Sequence, residues 1–218
     1  MIKDDYSAKI SDQFNSLIKE IRNINNLRAE KFKLIDTSFK KFIGLSSIMI
    51  NSMSESDVLN LMKRNGSLDA NYCIVAAALL YEEALLCDKN ENYIDSYTKY
   101  SKAFHLILNI KSSNLECEIA GYQDIMKNVS SALEDFHLPI NVQKDLASYY
   151  ELTGEYSKAE DKLYDLLEKP DTNSFAKQRL EQFYNNLLLK DDLTLEKGNL
   201  PRTEILEAVT SFKKQLKA

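Results

Sequence analysis

The chain has 218 residues, 28% of them charged and 44% hydrophobic, proportions that suit a folded protein with a buried core and exclude a disordered tail. Only 5 Gly and 3 Pro are present, too few for the turns that an all-β sandwich needs every ~8 to 12 residues, so an all-α fold is predicted. The net charge of −5 is uneven: residues 1–66 carry 11 Lys/Arg against 8 Asp/Glu, and the remainder 17 against 25.

Met1 to Tyr6 has acids where a signal peptide needs an apolar run, and the longest apolar stretch, Cys73 to Tyr81, is far short of the ~20 residues that span a bilayer. A cytoplasmic location is therefore expected. Tyr6, Ile10, Phe14, Leu17, Ile21 and Ile24 recur at helical spacing and form one stripe close to a coiled-coil seam. After Asn23, Asn25 and Asn26 the pattern resumes at Phe32, Ile35, Phe39 and Phe42, which predicts a helical hairpin, with one continuous rod over residues 4–43 as the alternative since no Gly or Pro enforces the turn. The basic excess of this region lies in Lys19, Arg22, Arg28, Lys31, Lys33, Lys40 and Lys41. Glu20, Glu30 and Asp36 interrupt it, so it reads as a solvated face and not as a nucleic-acid surface.

Gly44 to Met53 reads as a loop, and Ser54-x-x-Asp57 as a capping box for a short helix that stops at Gly66. Leu68 to Asp88 is predicted as a buried helix whose Ala76, Ala77 and Ala78 admit a close neighbour. The polar turn Lys89 to Asn92 leads into a helix from Tyr93 to Ile110, and a further helix is expected over Leu115 to Asp135. Pro139 suits a first helical turn, Gly154 separates two helices, and Pro170 closes the second of them. A helix from Ser174 to Leu189, an irregular stretch from Lys190 to Leu200 and a last helix from Pro201 carrying Ile205, Val209, Phe212 and Leu216 complete the chain. Nine or ten helices and no strand are expected.

Gln143-x-x-Leu146-Ala147-x-x-Tyr150, followed by Ala159, Leu163 and Pro170, follows the tetratricopeptide pattern with conservative changes and the proline one residue early. Small residues at Ala147 and Ala159 let two antiparallel helices cross closely, while Tyr150, Tyr156 and Leu163 fill the space beside the crossing. A shift of 63 residues pairs Ala84 with Ala147, Tyr93 with Tyr156, Ser96 with Ala159 and Tyr100 with Leu163, a weaker second copy. The expectation is a tetratricopeptide-like α-solenoid of antiparallel helix pairs over residues 67–218, preceded by an N-terminal helical hairpin and short helix over 1–66. The chain also resembles a tetratricopeptide-like domain-of-unknown-function family of uncharacterised bacterial proteins. The resemblance rests on the opening Met1 to Tyr6, on Tyr149 to Asp161, and on Asp191-Asp192-Leu193-x-Leu195-Glu196-Lys197-Gly198-Asn199-Leu200-Pro201-Arg202-x-Glu204-Ile205. It implies an all-helical fold without an established activity, and it supplies no catalytic residues.

Chemical motifs are sparse. His105 and His137 are the two histidines, and Glu134-x-x-His137 lacks the second copy that a di-iron bundle requires. Cys73, Cys87 and Cys117 lie in apolar helical contexts without a C-x-x-C, which predicts buried free thiols. The five glycines form no phosphate-binding loop. No catalytic residue, metal or cofactor is expected, and neither a nucleic acid nor a membrane as partner.

What remains is a surface. In tetratricopeptide arrays the first helix of each pair lines a concave groove, and here that face carries Asn141, Lys144, Ser148, Glu151 and Leu152, with Lys144 suited to an acidic group and Asn141 or Ser148 to a peptide backbone. The corresponding residues of the weaker copy, Ala78, Tyr81, Leu85 and Asp88, are more apolar and suit contact with the N-terminal hairpin. A non-enzymatic module for a protein or peptide partner is the leading expectation. A bacterial signalling regulator with a helical-bundle effector region is an alternative on fold analogy, and an enzyme with an unrecognised carboxylate or tyrosine site, marked by clustering of Glu82, Glu83 and Asp88, is another. The stripe from Ile10 to Ile24 also suits a homodimer through the hairpin.

Overall fold

The computed structural model describes the backbone of residues 2–24 and 27–215 and the side chains of 11–24 and 27–212. Among these residues there are twelve helices and one two-stranded ribbon, so the fold is all-α. The chain divides into two compact units, Met1–His137 and Leu138–Ala218. The boundary expected after residue 66 lies inside the first unit, because the second helix of the N-terminal hairpin packs directly on the long apolar helix that follows.

In the first unit α1 (Ile2–Asn23) and α2 (Arg28–Phe42) form the expected hairpin. Phe14, Ile18, Ile21, Ile35 and Phe39 are buried within the unit, and the Phe14 and Phe42 rings meet edge to face at 5.6 Å. The stripe runs through Ile18 and leaves Leu17 half-buried and Phe32 exposed, while the side chains of Tyr6 and Ile10 lie outside the described residues. The segment expected as a loop holds α3 (Ser47–Ser52), capped by the Ser46 hydroxyl on the Met49 N–H. Ser54 caps α4 (Glu55–Leu61) as its spacing predicts, accepting from the Asp57 N–H.

The strands β1 (Lys63–Arg64) and β2 (Ser67–Leu68) pair across Asn65-Gly66. Both turn residues have positive φ, 51° and 82°, the requirement of a tight primed hairpin turn and the reason for Asn-Gly there. This ribbon corrects the strandless expectation.

Helix α5 (Ala70–Asp88) is the centre of the unit. Cys73 to Leu80 are all buried against α2, α6 (Tyr93–Ser112) and α7 (Tyr122–Glu134), and Ala76 and Ala77 are fully enclosed. By length and composition α5 could cross a membrane, yet most of it is covered by its own neighbours. The expected helix from Leu115 starts only at Tyr122. Backbone groups before it are taken by side chains elsewhere: Asn71 accepts from the Glu118 N–H at 2.8 Å, Ser11 accepts from the Ala120 N–H at 2.9 Å, and Asn15 donates to the Ala120 carbonyl. Those bonds hold Ile119 in the core and Gly121 at φ 75°, conditions that a continuous helix cannot meet.

The second unit contains α8 (Ile140–Thr153), α9 (Tyr156–Leu167), α10 (Asn173–Leu188), α11 (Asp192–Lys197) and α12 (Arg202–Gln215). Leu146, Ala147, Tyr150, Tyr156, Ala159 and Leu163 are all buried in the α8–α9 hairpin, as the spacing predicts. The stretch expected as irregular forms α11, started by Asp191 on the Thr194 N–H. Gly198 follows it at ordinary negative φ, and a Cβ there would lie 2.2 Å from Tyr156 Cδ2 and 2.7 Å from the Gly154 carbonyl. Close approach, and not backbone freedom, selects this glycine.

Helices α8 and α5 close with the same pair of backbone hydrogen bonds. At the end of α8, Glu155 N–H donates to Tyr150 and Gly154 N–H to Glu151; at the end of α5, Asn92 N–H donates to Cys87 and Glu91 N–H to Asp88. Gly154 and Glu91, the paired residues, both have left-handed φ, 79° and 57°. Similar closures end α6 and α11, where Asn114 and Asn199 take the left-handed position, so the closure is a general helix stop.

Candidate functional site

The sequence-predicted residues lie on α8, and three of them meet α10 or their own helix. The Lys144 ammonium stands 4.1 Å from the centre of the Phe175 ring, and Glu151 forms an ion pair with Arg179 and accepts from the Asn186 amide. Ser148 donates back to the Lys144 carbonyl at 3.0 Å. Asn141 is exposed in the first turn, and Leu152 is 49% exposed beside the Glu151 pair. Ile140 and Phe175 add apolar surface, each 38% exposed. The face therefore combines exposed apolar groups with charges held by lateral partners on α10.

Of the corresponding residues of the other hairpin, Ala78 is buried among the helices packed on α5. Tyr81, Leu85 and Asp88 of α5 line a cleft of about 690 Å³ within the first unit. Helix α6 adds Tyr93 and Tyr100; α7 adds Asn128, Ser131 and Ala132, and Asp135, Phe136 and His137 follow it. The Tyr81 and Phe136 rings flank Tyr100 with centroids at 5.7 and 5.9 Å. Tyr100 donates its hydroxyl to Asp88 Oδ2 at 2.6 Å, and Asp88 Oδ1 is buried without a hydrogen-bond partner. Burial first, and the bond to Asp88 second, push the Tyr100 phenol far above its ordinary range; burial, then the Glu82 charge, also raises that of Tyr81. Both phenols are neutral near pH 7 and act as donors and ring faces.

Glu82, Glu83 and Asp88, whose clustering would favour the enzyme alternative, take separate partners. Glu82 is fully buried and accepts from Arg22 Nε at 2.6 Å, with Lys31 Nζ 3.7 Å from its other oxygen. Glu83 turns the other way and accepts from Ser47 at 2.6 Å and Asn51 at 2.9 Å. Lys102 donates to the Asn51 and Ile50 carbonyls and so closes the C-terminal end of α3. Two basic residues of the N-terminal region, Arg22 and Lys31, thus serve a buried acid, and Lys40 pairs with Asp36.

All three cysteines are free, Cys117 being half-buried. Burial, with Asp69 next, pushes the Cys73 thiol up to about 12; burial raises Cys117 to about 11 and Cys87 above its ordinary value. Such thiols hold little nucleophilic thiolate at neutral pH. Among the described residues no three His, Cys, Asp or Glu side chains are grouped for a metal ion, and His137 is exposed beyond the end of α7.

Fold and surfaces together define an all-helical protein of two compact units, one bearing an aromatic cleft and the other a mixed apolar and charged helix face. Over residues 1–217 the chain matches the model of a family of unknown function (DUF6483), and it belongs to that family. No curated protein and no solved structure matches it.

Proposed function

We propose that this protein is a non-enzymatic, tetratricopeptide-like module of the bacterial cytoplasm that binds a protein or peptide through the α8–α10 face. The observation that carries this reading is the contact of Lys144 with the exposed Phe175 ring and of Glu151 with Arg179, on a helix that also exposes Leu152. Apolar peptide side chains gain from covering Phe175 and, about two helical turns along α8 from Lys144, Leu152. The Lys144 ammonium, resting on a ring and not on a carboxylate, is available to an acidic group.

The two offset hairpins support the repeat reading, and free Cys73, Cys87 and Cys117 suit a reducing compartment. A non-catalytic role is supported by thiols with raised pKa and by carboxylates that are separated from one another. The test is cross-linked affinity capture from host lysate with wild type beside the double variant Lys144→Glu/Ser148→Arg. A protein retained by wild type and lost by the variant, with unchanged melting, is the expected result. Equal capture by both, or capture by neither, overturns the assignment to this face.

A further inference from the structure

The aromatic cleft of the first unit has a ligand chemistry of its own, independent of the α8–α10 reading. Its volume of about 690 Å³ is in the range of small-ligand sites. Three features of its wall point the same way. Tyr81, Tyr93 and Phe136 present ring surface that is half-buried or exposed, and ring faces attract cations through their quadrupoles. Asp88 and Asp135 both line the cleft, with no Lys or Arg among the described lining residues. The nearby guanidinium felt by Tyr81, that of Arg22, is already paired with Glu82.

The third feature is the state of Asp88. One oxygen takes the Tyr100 hydroxyl, while the other is withdrawn from water and accepts nothing. A carboxylate oxygen left in that condition costs stability, so the fold carries a negative charge in the cleft wall that its own groups only half compensate. The C-terminal ends of α5 and α7 also meet this region, with Asp88 the last residue of one and Asp135 the cap of the other, and their dipoles add negative potential. Helix α6 starts there with opposite polarity, which Asn92 and Asp95 offset in its first turn.

We infer that the α5–α6–α7 cleft binds an organic cation, an ammonium or guanidinium group on an alkyl stem, with the stem against Leu85 and the rings and the charge toward Asp88 and Asp135. A neutral molecule of the same shape gains the ring contacts alone. The cation can arrive as a free amine or on a lysine side chain, and the probes separate these sources.

The experiment is a titration of the full chain, followed by NMR shifts of labelled tyrosine, with cadaverine and with a capped Gly-Lys-Gly tripeptide. 1-Pentanol and the norleucine tripeptide serve as neutral counterparts. Saturable binding of either cationic probe in preference to its neutral counterpart supports the site; cadaverine alone marks a free amine, and the tripeptide a presented side chain. Asp88→Asn is expected to weaken binding at least about tenfold while leaving the protein equally or more heat-stable, since it removes a poorly compensated buried charge. Tyr100→Phe removes the hydroxyl that partly neutralises Asp88 and is expected to retain or tighten binding, whereas a purely structural Asp88–Tyr100 pair would make both variants lose it together. Absence of binding by both cations, equal binding of the neutral counterparts, or wild-type affinity in a folded Asp88→Asn overturns the inference.

Discussion

Glu91 and Gly198 show two different ways in which one position limits the fold. Glu91 has a left-handed backbone, which a side chain with Cβ adopts at a cost, and it is exposed, so that no contact repays the strain. Glu91→Gly is expected to stabilise the protein by about 0.5–1 kcal/mol, read as a higher denaturant midpoint with unchanged slope. Gly198 is the converse case, with ordinary φ and no room for a methyl group between Tyr156 and the Gly154 carbonyl. Gly198→Ala is expected to cost about 1–3 kcal/mol by overpacking, and chemical denaturation of the pair measures it. Three contacts fix the tail around Gly198: Asp191 starts α11, Gly198 admits Tyr156, and Arg202 donates to the Leu188 carbonyl as well as to Asp192.

Glu160 carries a pH prediction at the same scale. Burial raises its carboxyl above the ordinary 4.5, against the lowering effect of the Tyr184 hydroxyl bond at 2.5 Å. The folded state then holds the proton more tightly than the unfolded chain does. Its contribution is full below the ordinary carboxylate value and is lost as pH rises through the higher folded value. Glu160→Gln is expected to flatten this decline, and thermal melts of wild type and variant from about pH 4 to 7 test it. A wild-type slope unchanged by the substitution would assign the pH dependence to another group.

At the scale of elements, caps and turns decide where helices begin. Asp69 accepts from the Tyr72 N–H at 3.1 Å and opens α5, the helix around which the first unit is built. Asp69→Ala is expected to cost about 1 kcal/mol, seen as a lower melting temperature. The helices with continuous apolar periodicity, α2, α6, α8, α9 and α10, and the uniformly apolar α5 were legible in the sequence to within a few residues. The failures share a cause. In α3 and α11 only six residues are helical, too few to show a period, and the Asn65-Gly66 ribbon is only two residues deep on each side. Residues 115 to 121 have helical composition, but their backbone groups bond to Asn71, Ser11 and Asn15, partners more than 40 positions away. No local pattern contains that information.

For the whole molecule, each compact unit has its own buried core, one around α5 and one around the α8–α9–α10 helices. Residues 1–137 and 138–218 expressed separately are each expected to show helical circular dichroism and a cooperative melt. A broad, non-cooperative melt of either fragment would show that its core is incomplete alone. The hairpin seam that suited a homodimer has Phe14, Ile18 and Ile21 enclosed within the first unit, so those side chains already have intramolecular partners.

The sequence by itself determined the helical class and the α5–α6 and α8–α9 hairpins, because apolar patterning, small-residue crossings and turn residues act within a few turns of chain. Tertiary structure alone decided the destinations of the charges: Glu82 toward Arg22 and Lys31, Glu83 toward Ser47 and Asn51, and Asp88 toward Tyr100 at the wall of a cleft. Three acids within seven positions of one helix point into three environments, since successive helical residues turn by about 100° and meet different neighbours. Which neighbour each one meets depends on how distant helices are arranged around α5, and that arrangement exists only once the core has formed.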